Sequence, residues 1–242
     1  MKRIFLFFAW LLFISGVKGY AQYQEANMLG LRLGASLTNI HDLKGIILDA
    51  DYYSGYEMDD KMAFSPMAGF FYSYHKGGDL LGMSLGVDYW QMCASTEYED
   101  VNGLSYTIGY QFYYVGLNSL LKVYPYRGFY LGTDFKAGIC LSPHGISYDS
   151  NQDSPQLSSF GYSSTEVTRE CLHESLSGSA DVGVGLSIGY EFPNGLGIQG
   201  GYSYTFTDLV RTAVNEYGWM EKNNVADSFR LTVSYALGVD GR

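Results

Sequence analysis

Between Tyr113 and Leu141 the chain alternates apolar and polar residues almost without interruption. Tyr113, Val115, Leu117, Ser119, Leu121 and Val123 hold one phase, and Tyr114, Gly116, Asn118, Leu120 and Lys122 the other. After the break Tyr124-Pro125-Tyr126-Arg127-Gly128, Phe129, Leu131, Thr133, Phe135, Ala137, Ile139 and Leu141 alternate with Tyr130, Gly132, Asp134, Lys136, Gly138 and Cys140. Strand side chains point to opposite faces in turn, so this pattern predicts a hairpin with one apolar and one polar face. Each run outlasts the five or six residues usual for a strand of a soluble domain. The length suits a strand that crosses a bilayer, which needs about 9–11 residues, apolar toward lipid and polar toward the interior.

The same pattern recurs and predicts eight strands, at 28–39, 63–75, 80–94, 105–124, 129–142, 175–192, 196–207 and 225–238. The connections between them alternate in length. Three are short, at 75–79, 124–128 and 193–195; four are long, at 40–62, 95–105, 143–174 and 208–224. The expected fold is therefore all-β: an eight-stranded antiparallel up-and-down transmembrane barrel with three short periplasmic turns and four long extracellular loops.

Composition sharpens this picture. The 242 residues include 23 Tyr and 30 Gly against 5 Pro, a balance that suits long strands with aromatic girdles. Met1-Lys2-Arg3, an apolar run from Ile4 to Ile14 and the small residues Gly19 and Ala21 have the form of a cleaved secretory signal. Residues 1–21 are set apart on that basis, and 22–242 form one barrel-sized domain. The net charge of −10 argues against nucleic acid as a partner, and no basic stripe offsets it. Three cysteines cannot all pair within the chain, so no disulfide framework defines the fold.

Charge placement tests the face assignment. Arg32, Asp88, Lys122, Asp134, Lys136, Asp181, Glu191 and Arg230 all fall on the polar phase, four cations and four anions expected to pair across a narrow, filled lumen. Asp227 falls on the apolar phase, near the outer end of its strand. A soluble barrel of lipocalin type would turn the apolar phase inward and leave Gly30, Gly82, Gly116 and Gly183 on an exterior with few charges, a poor surface for water.

Three further groups of residues are candidates for chemistry. Asp49, Asp51, Glu57, Asp59 and Asp60, with Asp42 nearby, crowd the first long loop, where hard oxygen ligands suit Ca²⁺ or a divalent bridge to lipopolysaccharide; the alternative is a solvated acidic surface. Cys140 and His144 end one strand while Cys171 and His173 precede the next, which leaves open a disulfide, a soft-metal site or two free thiols. A lipid-modifying enzyme would draw on His41, His144 or His173 with Ser142, Ser158, Ser159, Ser163 or Ser164, but no nucleophile motif surrounds these serines.

The stretches LGLRLGASLTNI, YYVGLNSLLKVYPYRGFYLGTDFKAG and GVGLSIGYEFPNGLGIQGGYSYTFTDLV resemble the PorT-like outer-membrane β-barrel family of Bacteroidetes. The resemblance implies the outer membrane of a Gram-negative cell and, through the family's named member, an accessory role in type IX protein secretion. The expected function is that of a non-enzymatic envelope protein without a cofactor, structural or adhesive through acidic loops, with secretion accessory as the alternative. Its expected partners are outer-membrane lipid and lipopolysaccharide, the barrel-insertion machinery, and envelope proteins that meet its loops.

Overall fold

The computed structural model describes residues 26–47, 55–75, 80–213 and 224–238. The proposed signal segment and part of the first, first short and last connections lie outside the described residues. Eight long strands form one antiparallel sheet that closes on itself. They are β1 (Ala26–Ile40), β2 (Tyr56–His75), β3 (Leu81–Asp100), β4 (Ser105–Tyr126), β5 (Phe129–Cys140), β8 (Asp181–Glu191), β9 (Leu196–Thr205) and β11 (Ala226–Gly238). Each pairs with its neighbours in that order, and β11 returns to β1 through a register from Met28↔Gly238 to Ile40↔Ala226. Closure removes the free sheet edges that an open sheet of this length would expose.

The apolar phase faces outward on every strand of the ring. Phe70 is 71% exposed and Leu186 67%, and Leu33, Leu121 and Leu231 stand out from the same surface. The inward-facing lipocalin arrangement is thus not the one this chain adopts. On the inner face, glycines make room for large rings. A Cβ on Gly138 would fall 2.3 Å from the Trp90 ring, so only glycine admits that indole there. The turn at Arg127–Gly128 is equally demanding, because Gly128 has φ 67°, a conformation that L side chains rarely adopt. It joins β4 to β5 at the end of the ring where β1 starts and β11 finishes.

At the opposite end, β2, β3 and β4 run on past the ring. A one-residue register shift between Met62 and Met67 of β2 marks the start of this extension, and the Cys93 N–H donates to the Ser65 hydroxyl there. The stretch 95–105, expected as a long loop, is strand as far as Asp100, followed by a four-residue turn. Likewise the first seven residues of β2 fall within the expected loop 40–62. The third connection is also built: β6 (Ile146–Ser150) pairs with β4 as a fourth strand of the extension, and α2 (Thr165–Ser175) follows. The sixth expected strand, placed at 175–192, splits into β7 (Leu176–Gly178), which pairs with β10 (Val210–Thr212), and β8.

These outer pieces, with the short helix α1 (Lys44–Ile47), cap the ring. Ile40, Leu43, Ile46, Leu172, Leu176 and Val210 pack with Met92, Phe112 and Ile146 into an apolar core above the ring interior. Burying each such aliphatic side chain contributes roughly 1.5–3 kcal/mol, enough to hold the short segments in place.

Candidate functional site

The eight polar-phase charges lie inside the ring and meet in four pairs. Nearest the end with the short turns, Lys122 Nζ donates to Glu191 Oε1 at 2.7 Å, and the Tyr124 hydroxyl donates to the other Glu191 oxygen at 2.8 Å. At mid-height Arg32 grips Asp88 with two hydrogen bonds of 2.7 Å, the fork geometry that makes an arginine–carboxylate pair strong. Highest, Asp181 is fully buried and accepts from Lys136 Nζ, Trp90 Nε1 and Thr205 Oγ1, all within 2.8 Å. Arg230 Nη2 lies 2.9 Å from Asp134 Oδ2, yet neither Asp134 oxygen accepts a well-directed hydrogen bond from a protein group. This fourth pair is therefore held by charge alone and is the weak member of the set. Among these side chains, an interior cavity of about 30 Å³ touches Asp88, Asn118 and Arg230, the space of a single water.

The cysteine and histidine candidates separate. Cys93, Cys140 and Cys171 are free thiols, so the Cys140–Cys171 disulfide is not formed. The Cys171 sulfur, on α2, lies 3.9 Å from the Ser175 hydroxyl, and Cys140 ends β5 beside Gly178. Both histidine rings lie against backbone carbonyls. The His173 Nε2 lies 2.7 Å from the Ile146 oxygen, and His144 Nδ1 lies 3.2 Å from the oxygen of His173. Among the described residues no three His, Cys, Asp or Glu groups converge to hold a metal ion. His41 pairs with Asp227 at 2.5 Å on the outer rim. Of the candidate serines, Ser142 accepts from the Tyr113 N–H and Ser164 caps the N-terminus of α2.

Asp49 and Asp51 lie outside the described residues. Glu57, Asp59 and Asp60 lie on β2, where period two sends them to opposite faces. Glu57 and Asp59 point out, while Asp60 turns in, accepting from the Thr96 hydroxyl at 2.8 Å and from the Lys44 N–H. Of the five carboxylates considered for a divalent ion, the three on described residues therefore divide between the two faces of β2. Burial raises the Asp60 carboxyl above its ordinary 3.8. In the interval between 3.8 and that raised value the folded chain holds a proton that the unfolded chain releases. The ionised carboxylate therefore lowers stability above the interval, and the loss vanishes below it. Asp60→Asn is expected to raise the unfolding midpoint at pH 7 and leave it unchanged at pH 3.5, as read by thermal unfolding in detergent.

Two features escaped the sequence reading. Gln152 is buried and anchors the third connection: it accepts from the Tyr148 hydroxyl at 2.7 Å and donates to the Ser163 oxygen at 2.7 Å. The only cue was an amide between turn residues, too common to single out. The other is a row of rings across the extension. Tyr56 stacks on Tyr98 at 5.6 Å, Tyr98 on Tyr106 at 4.5 Å, and Tyr106 meets Tyr148 at 5.5 Å. Burial pushes the Tyr106 and Tyr148 phenols up, so both stay neutral.

No family model and no curated protein matches the chain. Solved structures of similar shape include outer membrane protein OprG from Pseudomonas aeruginosa, at 10% identity and a TM-score of 0.41 over 89% of this chain and 98% of that one. Neisserial surface protein A gives 11% and 0.40 over 86% and 96%. The N-terminal β-barrel domain of P. aeruginosa OprF gives 8% and 0.37 over 88% and 100%. The closed ring rests on its own strand pairings rather than on these likenesses.

Proposed function

We propose that the chain is an occluded outer-membrane β-barrel, a non-enzymatic envelope protein that works through the surface it raises beyond the membrane. One observation carries this reading: the continuous apolar outer face, with every interior charge paired inside. Tyr113 and Val123 stand ten residues apart on β4. At about 3.3 Å per residue and a tilt of about 40°, they bound an apolar band about 25 Å tall. Tyr89 and Tyr113 lie toward one margin of the band, and Tyr74, Tyr126 and Tyr190 toward the other, as interfacial aromatics do. Under this reading the ring end with the Arg127–Gly128 and Pro193–Gly195 turns faces the periplasm, and the capped end faces out. The signal-like start at 1–21 fits export to that membrane.

The interior offers no evident path for a solute, because paired charges fill it and the apolar cap closes its outer end. A second reading, accessory of a protein-secretion machine, draws on the strand resemblance to the PorT-like family and predicts co-purification with envelope partners. The test of the first is gel migration of protein extracted from outer-membrane fractions. The barrel reading expects unboiled protein to migrate apart from boiled protein. Recovery from the soluble periplasm with no heat shift would overturn it.

A further inference from the structure

The extension formed by β2, β3, β4 and β6 is a sheet with two edges. Along β6, the Ile146 and Tyr148 carbonyls meet His173 and Arg169 of α2, so that edge is covered. The other edge is the first part of β2. β1 pairs with β2 from His75 back to Ala63 and no further, so residues 56–62 pair with β3 alone. The Val101 N–H donates to the Gly55 carbonyl at the end of that pairing. This bond sets the phase: Glu57, Asp59 and Lys61 exchange backbone hydrogen bonds with β3, and the residues between them turn their N–H and C=O groups the other way. The backbone groups of Tyr56, Met58 and Asp60 therefore point off the sheet, and among the described residues no strand pairs with them. Such a row of unpaired donors and acceptors is a template for one more strand.

The side chains at this edge define the strand that fits. On the inner face, the row of rings that runs from Tyr148 through Tyr106 and Tyr98 ends at Tyr56, which is half-buried at the edge itself. An aromatic side chain on an added strand continues that row, and aromatic pairs across strands are favourable. On the outer face, Glu57 and Asp59 are exposed. Lys or Arg at alternate positions of the added strand lies opposite them, whereas acidic residues there are repelled. A second copy in the same membrane does not supply the strand. Antiparallel pairing of two β2 edges turns the second barrel away from the membrane that holds the first.

We infer that residues 56–60 of β2 take an added antiparallel strand from a partner protein, a segment that alternates Lys or Arg on its outer face with aromatic or β-branched residues on its inner face. Backbone hydrogen bonds to Tyr56, Met58 and Asp60 hold the segment, and the alternate side chains select it. The inference deepens the proposed function and rests on it, because the edge stands beyond the bilayer, and a second copy is excluded, only if the apolar band lies in lipid.

The test uses full-length protein in detergent micelles, first shown to be heat-modifiable, so that failure of the membrane-barrel reading is seen apart from failure of docking. A fluorescent seven-residue peptide, with Lys at odd positions and Tyr or Val between them, is titrated by anisotropy. Two N-methylated forms are titrated beside it, one methylated on its Tyr and Val residues and the other on its lysines. Methylation of Tyr and Val removes the N–H groups that face β2 and is expected to abolish binding. Methylation of the lysines, whose N–H groups face away, is expected to leave it. Met58→Pro removes an edge N–H and spares the ladder between β2 and β3, so it is expected to weaken binding at least tenfold with the heat shift retained. The methylated pair decides the matter even where Met58→Pro does not fold. Equal binding of all three peptides would show attraction to charge alone and overturn the inference, as would no binding of the unmethylated peptide. Dimers that form without peptide and are lost with Met58→Pro would also overturn it, assigning the edge to a second copy.

Discussion

Asp134→Ala is expected to destabilise the folded chain by about 3–5 kcal/mol, the cost of leaving a buried charge without its partner. Asp134 is buried inside the ring, and the Arg230 guanidinium lies 2.9 Å from it with little exposure of its own. The other three pairs are reinforced by directed hydrogen bonds, whereas the Asp134 oxygens and Arg230 Nε find none among protein groups. That difference separates the cost of breaking this pair from the value of having it. Desolvating two ions without full hydrogen bonding offsets most of their attraction, so Asp134→Leu with Arg230→Met should recover most or all of the loss. Urea unfolding in lipid vesicles reads both variants. A single variant within 1 kcal/mol of the native chain would contradict an interior closed to bulk water.

The second large effect lies on the outer face. Leu186 sits midway along β8, and Leu186→Arg would place a cation near the middle of the proposed apolar band. A cost of about 2–4 kcal/mol is expected there. Thr107→Arg, on the outward face of the extension, should cost little and gains attraction from Glu97 opposite it. The same vesicle titration compares them. Equal effects at the two positions would mean that Leu186 and Thr107 face the same medium.

The closed ring was legible in the chain because both faces of its strands are constrained. Lipid on one side and a narrow interior on the other force strict alternation, so Leu117, Leu186 and Leu231 stand outside and Lys122, Asp134 and Arg230 inside, in the phases in which they occur along the chain. Above the band that constraint relaxes, and the reading weakened there. Residues 56–61 and 95–100 still alternate, with Met58, Asp60, Thr96 and Tyr98 in one phase and Glu57, Asp59, Glu97 and Glu99 in the other. Their acid content made them look like loop, because carboxylates are poor strand formers by composition even where the period is intact.

The cap was illegible for another reason. α2 is eleven residues long and amphipathic only over a short arc, with Ser164 as its N-cap and Cys171 and Leu172 on its buried side. A helix that short is stabilised by what it packs against rather than by its own propensity. Arg169 and His173 reach from it to the Tyr148 and Ile146 carbonyls of β6, contacts between segments far apart along the chain. These carbonyls lie on the edge of β6 that no strand covers, and the helix shields that edge from pairing with another chain. The same holds for Cys140 and Cys171: their spacing in sequence leaves disulfide, metal site and free thiols all open, because Cys171 is placed by this helix.

The measurement that tests the central claim most directly is the medium around single spin labels in vesicle-inserted protein. After Cys93, Cys140 and Cys171 are replaced by serine, labels are placed one at a time at Leu117, Leu186, Glu97 and Asp149. The labels at Leu117 and Leu186 should relax with oxygen dissolved in lipid and ignore a water-soluble nickel reagent, while those at Glu97 and Asp149 should do the reverse. Nickel access at Leu117 and Leu186 equal to that at Glu97 would show the apolar face in water and contradict the membrane barrel.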